Sequence, residues 1–138
     1  MNILVVSDSH GKTDNLMRAV ELTRPEYVLH LGDCQRDLER LRQAFPMLPM
    51  EGVPGNCDYG SCDQPERLTE LGGVRILMLH GHTRGVKSDV MRAVWAAREC
   101  GAQVLLFGHT HRPLVDYDGT LSTMNPGAVG GYVCSFGC

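Results

Sequence analysis

Residues 2–11 read N-I-L-V-V-S-D-S-H-G, and this stretch decides the fold class. Residues 2–7 form a continuous apolar run, which suits a strand buried on both faces. The run ends abruptly in Asp8, Ser9 and His10, followed by Gly11. In open α/β sheets, ligands bind beyond the carboxyl ends of the strands. A buried strand ending in Asp and His therefore marks both a parallel sheet and a candidate site.

Downstream, Thr13, Asp14 and Asn15 offer N-caps to a helix carrying Leu16, Met17, Val20 and Leu22. Pro25 bars further helix, and residues 26–31 (E-Y-V-L-H-L) predict a second strand ending in Gly32-Asp33. Residues 37–45 predict a short helix with Leu38, Leu41 and Phe45 on one stripe, and 47–53 a weaker third strand. That strand runs into V-P-G-N-C-D-Y-G, residues 53–60, a loop by its Pro, Gly and Asn content. The order β-α-β-α-β implies parallel strands with right-handed crossovers.

The second half changes character. Runs 66–71 and 74–79 flank Gly72-Gly73, and runs 114–117 and 121–124 flank Asp118-Gly119, two hairpin signals. Between them, Ser88 can cap a helix with Val90, Met91, Val94 and Ala97 facing inward, stopping near Gly101. Residues 102–107 predict another buried strand, and 132–136 a last one. The expectation is α/β, with a mixed sheet or two packed sheets. Met47, Met50, Met78 and Met91 are expected to fill the core.

At 138 residues the chain is expected to form one domain, 1–138. No segment approaches the roughly 18 apolar residues of a membrane span. Nothing at the start resembles a signal peptide, so the expected location is cytoplasmic. The net charge is −3, with basic and acidic residues interspersed, which argues against a protein held to nucleic acid by bulk charge. The six cysteines (34, 57, 62, 100, 134, 138) show no C-x-x-C, so free thiols are expected rather than a zinc ribbon or a disulfide framework. Cys100, near a helix end, is expected to be a small buried hydrophobe.

The polar residues fall in register with the strands. Asp8 and His10 follow the first strand, Asp33 the second and Asn56 the third. His80 and His82 follow 74–79, and His109 and His111 follow 102–107. Each motif alone is weak, since Asp before Gly caps turns and Gly-Asn is ordinary turn chemistry. Five segments delivering Asp, Asn or His to one edge make chance a poor explanation. Asp8, His10, Asp33, Asn56, His80, His109 and His111 are too many ligands for one tetrahedral zinc, and suit two ions sharing a carboxylate. Imidazole-rich N/O sites favour Mn, Fe, Co, Ni or Zn over Ca or Mg. Two such ions polarise a phosphoryl oxygen and acidify water, so no side-chain nucleophile is required.

In these motifs the sequence resembles the calcineurin-like metallophosphoesterases. The family pattern D-x-H, G-D, G-N-H-D/E, H and G-H-x-H corresponds to D8-S-H10, G32-D33, G55-N56-C57-D58, H80-G-H82 and G108-H109-T-H111. G-N-C-D and the N-P-G after G-H-T-H look most like the small bacterial and archaeal branch typified by YfcE. The resemblance implies a four-layer α/β/β/α sandwich of two mixed sheets. It implies two divalent transition-metal ions, Mn foremost, with Ni, Fe, Co or Zn as alternatives. Asp8, His10, Asp33 and His111 would hold one ion; Asp33, Asn56, His80 and His109 would hold the other, with Asp33 bridging. It also implies a phosphodiesterase that uses a metal-bridging hydroxide for in-line attack, with Asp33, Asn56 and His82 as its catalytic residues. His82 would face the substrate. The expected partner is a small phosphodiester, with nucleic acid no tight partner, and relatives suggest a dimer or tetramer. The last strand is expected to be cut short, since relatives usually continue beyond the final G-Y-V-C-S-F-G-C.

Cys57 departs from the family. Most members place a histidine there, which protonates the leaving oxygen. A thiol is a weak donor near neutral pH, so Cys57 is a stand-in rather than a nucleophile or half of a disulfide. A slow enzyme, or one favouring good leaving groups, is expected unless His82 or water supplies the proton. Asp58, which would orient the missing histidine, is left as a loop cap. Asp37 supports the Asp33 loop or caps a helix. Arg84, Lys87 and Arg112 meet a phosphate or belong to the solvated surface. The rival readings are a phosphomonoesterase, a nuclease, and a non-catalytic scaffold like the retromer subunit that shares this fold.

Overall fold

The computed structural model describes residues 1–58 and 64–128, and the backbone of the strand Cys134–Gly137. Its strands are β1 (Asn2–Val6), β2 (Tyr27–His30), β3 (Met50–Gly52), β4 (Glu66–Leu71), β5 (Val74–Leu79), β6 (Val104–Leu106), β7 (Leu114–Tyr117), β8 (Ser122–Asn125) and β9 (Cys134–Gly137). Its helices are α1 (Thr13–Thr23), α2 (Gln35–Ala44) and α3 (Met91–Glu99). One sheet has the order β3-β2-β1-β9 and the other β4-β5-β6-β8-β7. The β1–β2 and β2–β3 pairs are parallel, as the β-α-β-α-β reading requires, and β9 runs antiparallel to β1. Both hairpins form, β4–β5 and β7–β8, around a parallel β5-β6-β8 centre. Both sheets are therefore mixed.

Strand alternation builds the layers. Ile3 and Val5 of β1, Leu29 of β2, Ile76 and Met78 of β5, and Val104 and Leu106 of β6 meet between the sheets. Leu4, Val6 and Val28 point the other way, onto Leu16, Ala19 and Val20 of α1 and Leu38 and Leu41 of α2. Leu77, Leu79 and Leu105 face Ala93, Val94 and Ala97 of α3. Three apolar seams between four layers give the α/β/β/α sandwich. Among the described residues no helix is long and apolar enough to cross a membrane.

Several local expectations are corrected. Thr13, Asp14 and Asn15 lie inside the first turn of α1 rather than capping it; Lys12 holds the cap position without a side-chain bond. Leu22 is 74% exposed, because the contact stripe of α1 is Leu16, Ala19 and Val20. Met50 and Met78 are buried, but Met47 is 93% exposed and Met91 is exposed at the start of α3. The third strand is shorter than 47–53, since 46–48 are still turning out of α2. Asp89, not Ser88, accepts from the Met91 amide at the head of α3. Cys100 caps the end of α3 and is exposed. Cys34, Cys57 and Cys100 are free thiols; Cys62 and Cys138 lie outside the described residues.

Candidate metal centre

Register brings the strand ends together. Val6 pairs with His30 and His30 with Gly52, so the loops after β1, β2 and β3 leave one edge side by side. Met78 pairs with Leu106 in the other sheet, which aligns the loops carrying His80 and His109. The two sheets are stitched together here. The His109 amide donates to Asp8 Oδ2 (3.1 Å), and His80 Nδ1 donates to the Leu31 carbonyl (2.7 Å).

The loops pack too closely for side chains at their glycines. A Cβ on Gly55 would meet Asp33 Oδ1 at 2.1 Å, and one on Gly108 would meet Ser7 Oγ at 2.0 Å. The turns also force the backbone left-handed at Asp8 (φ 54°), His10 (46°), Asp33 (57°), His109 (66°) and His111 (59°). Each such residue costs on the order of 1–3 kcal/mol, a cost usually met where function demands the geometry. Five of the seven candidate ligands are strained in this way.

The functional side chains converge with lone pairs facing one another. The Leu31 carbonyl can only accept, so His80 Nδ1 carries the ring proton and Nε2 is a bare lone pair. That atom lies 3.0 Å from Asn56 Oδ1, 3.2 Å from His109 Nδ1, 3.5 Å from Asp33 Oδ2 and 3.7 Å from Asp8 Oδ1. On the other side, Asp8 Oδ1 is 3.0 Å from His111 Nε2 and 3.8 Å from His10 Nε2, and His10 Nε2 is 3.6 Å from Asp33 Oδ2. All seven predicted ligands therefore meet at one place, with the two carboxylates between the His10–His111 side and the Asn56–His80–His109 side.

A cation fits this donor set. Asp8 Oδ1 is buried and makes no hydrogen bond, although its partner oxygen accepts from Ser7 Oγ at 2.6 Å. The Asn56 amide oxygen faces only acceptors, the two ring nitrogens and the Asp33 carboxylate. Turning the amide over would relieve that crowding locally. A divalent ion relieves it for Asn56 and Asp8 together, which a flipped amide does not. The groups Asp8–His10–His111, Asp8–Asp33–His80 and His10–Asp33–Cys57 each place their donor atoms within 4.8 Å of one another.

The charge states suit ligation. Burial pushes the Asp33 carboxyl up, but the hydrogen bond from the Cys57 amide helps to outweigh it and hold the group below the usual carboxylate range. Burial pulls both His82 and His109 down, which favours their neutral rings. His82 lies 5.5 Å from His80, ring to ring, and its Nδ1 is buried without a partner. A lowered pKa works against His82 as the replacement acid. Burial and then Asp33 push the Cys57 thiol up, so it is no ready nucleophile.

The candidate ligands are braced by residues of which sequence reading named Asp58, as a loop cap, and Asp37, as a loop support or helix cap, but not His30, Ser9 or Asn125. Asp58 accepts from the amides of Asp33 (3.0 Å), Cys34 (2.9 Å), Gln35 (2.9 Å) and Gly55 (2.7 Å), so it ties the Asn56 loop to the head of α2. Asp37 is fully buried and accepts from the Gly11 amide at 2.8 Å, bracing the β1 loop. The Gly32 amide donates to His30 Nδ1 (3.1 Å), leaving Nε2 to donate to Ser9 Oγ (3.0 Å). Asn125 donates to the Gly108 carbonyl (3.0 Å) and so holds the His109 loop. The Asn-Pro-Gly stretch was the only sign of this last brace. Arg84 is paired with Glu66, whereas Lys87 and Arg112 line a cavity of about 570 Å³ beside Thr110.

The motifs at these loops match a known family. The model of the calcineurin-like phosphoesterase superfamily domain covers residues 1–136. The chain belongs to this superfamily. It is 36% identical over 114 residues to the probable metallophosphoesterase YsnB of Bacillus subtilis, covering 80% of this chain. The chain spans 64% of the length of that relative. A predicted phosphoesterase from Streptococcus pneumoniae has a similar structure, with a TM-score of 0.75 at 29% identity over 92% of this chain and 72% of the other. Vps29 from Chaetomium thermophilum superposes with a TM-score of 0.80 at 20% identity, over 99% of this chain and 82% of its own, which shows the shared fold. Like its superfamily, this phosphoesterase-fold chain implies divalent metal, and its donor set accords with that.

Proposed function

We propose that this superfamily member is a phosphoesterase that hydrolyses small phosphodiesters at two divalent transition-metal ions, manganese foremost. Asp8, His10, Asp33 and His111 would hold one ion, and Asp33, Asn56, His80 and His109 the other. The observation that carries the reading is the convergence of unpaired acceptors, above all the orphaned Asp8 Oδ1 and the Asn56 oxygen among ring nitrogens. Such ions, when bound, supply Lewis acidity to a phosphoryl oxygen and to water.

The rest is the work of the chain. Asp33, held ionised with the help of the Cys57 amide, would join the two sides. Asp58, Asp37 and the His30–Ser9 pair keep the ligand loops in place, so little reorganisation accompanies binding. Lys87 and Arg112 set positive charge beside the His109 loop, where an anionic substrate approaches. With a thiol at 57 and a neutral His82, the chain has no strong general acid. General acid catalysis contributes roughly 10²–10⁴-fold, so the reading favours diesters with good leaving groups.

Replacing Asp33 or His109 by Ala should abolish metal-dependent diester hydrolysis in folded protein. Full activity in either variant removes the reading. Turnover of a monoester alone would make the protein a phosphatase. Absence of both metal and turnover would favour a scaffold, since the fold it shares with Vps29 does not separate the two.

A further inference from the structure

One donor at the centre has no part in the proposed ligand sets. Cys57 Sγ, a ring nitrogen of His10 and a carboxylate oxygen of Asp33 lie within 4.8 Å of one another. The Cys57 amide donates to Asp33 Oδ1 at 2.9 Å, which pins the residue against that carboxylate while leaving it exposed. With its oxygen among the ring nitrogens, Asn56 directs its amide nitrogen to Cys57 Sγ at 3.7 Å. One amide thus presents an acceptor to the cluster and an N–H to the sulfur. A thiol coordinated to a metal ion loses its proton outright.

We propose that Cys57 is a thiolate ligand for soft cations, engaging Zn²⁺, Co²⁺ or Cd²⁺ together with His10 and Asp33. The proposal rests on the metal-centre reading above. Ligation forms one metal–sulfur bond, breaks the S–H bond and releases one proton to solvent. Imidazole, carboxylate and thiolate are donors that zinc accepts together, and thiolate is the one that discriminates soft from hard ions. The residue that lacks the acid function thus acquires a role in choosing the metal.

The test is cobalt spectroscopy on the full chain after chelator treatment. Co²⁺ bound at any part of the centre gives visible ligand-field bands, whereas a thiolate ligand adds a near-ultraviolet sulfur-to-cobalt charge-transfer band. The expected result is both features in the unaltered protein and in Cys34→Ser. In Cys57→Ser or Cys57→Ala, whichever keeps the unaltered far-ultraviolet circular dichroism, the charge-transfer band should vanish and the visible bands remain. Competition titration should then show Zn²⁺ affinity falling roughly tenfold or more relative to Mn²⁺ in the same variant. Visible bands without charge transfer in the unaltered protein would overturn the thiolate role and leave the metal centre standing. A charge-transfer band that survives loss of Cys57 would also overturn it. Absence of any cobalt band would remove the metal-centre reading itself.

Discussion

His30 is fully buried, and desolvation holds its pKa down at about 4 despite three neighbouring carboxylates. The unfolded chain protonates this ring near pH 6.5, whereas the folded chain does not. The folded state therefore loses stability as pH falls from about 6.5 to about 4, and regains it as pH rises; the loss amounts to about 3 kcal/mol. Denaturant unfolding of metal-free protein across that range should show this slope, and His30→Asn should flatten it. An equal slope in the variant would place the effect elsewhere. Cys57 carries the second residue-scale prediction. Cys57→His restores a protonatable group beside Asn56, so turnover of diesters with poor leaving groups should rise by up to roughly 10²-fold, with a smaller gain for good ones. An equal change for both would show that proton donation is not what residue 57 lacks. At this scale the residues that converge were legible as candidate ligands, because each apolar strand breaks off into Asp, Asn or His beside Gly. His30 was not, because a histidine inside a strand reads the same whether it is buried and neutral or turned to solvent.

The loops between elements are held by contacts that run across the chain. Asp58 lies 25 residues from Asp33, yet its carboxylate accepts the Asp33 amide and two amides at the head of α2. Asp58→Ala orphans these donors and should destabilise the fold by about 2–3 kcal/mol, measured by thermal or denaturant unfolding, with metal affinity falling alongside. Unchanged metal affinity in this variant would confine Asp58 to helix capping. Gly108→Ala should be worse tolerated than an ordinary loop substitution, since its Cβ would meet Ser7 Oγ at 2.0 Å and shift Asp8 through the Ser7–Asp8 bond. Elements themselves were largely legible from periodicity. The hairpin strands Glu66–Leu71 and Val74–Leu79 stand where the Gly-Gly signal puts them. Helix faces were read less well: Leu22 and Met91 continue an apolar pattern, but among the described residues both are exposed. Periodicity shows that a stripe exists and not how far the opposing sheet extends.

The molecule as a whole is two sheets whose shared seam sits beneath the site. Leu29 is fully buried in that seam with Ile3, Ile76 and Met78. Leu29→Ala should cost about 2–5 kcal/mol and leave a cavity under the ligand loops. The strand pattern left one mixed sheet or two packed sheets open; the family resemblance implied the two-sheet sandwich that forms. The closing of its edges was not legible, because register depends on both sheets at once. Every ligand loop leaves the seam at the same end, and the bonds from His109 to Asp8 and from His80 to Leu31 join the sheets there. The central claim is that this junction is a metal-dependent hydrolytic centre. It is tested most directly by stripping the protein with chelator and assaying bis-p-nitrophenyl phosphate with Mn²⁺, Ni²⁺, Zn²⁺ or Mg²⁺ restored singly. The account predicts negligible turnover without metal and recovery with a transition metal, Mn²⁺ first. Folded protein that stays inactive with every ion, or is equally active in chelator, would contradict it.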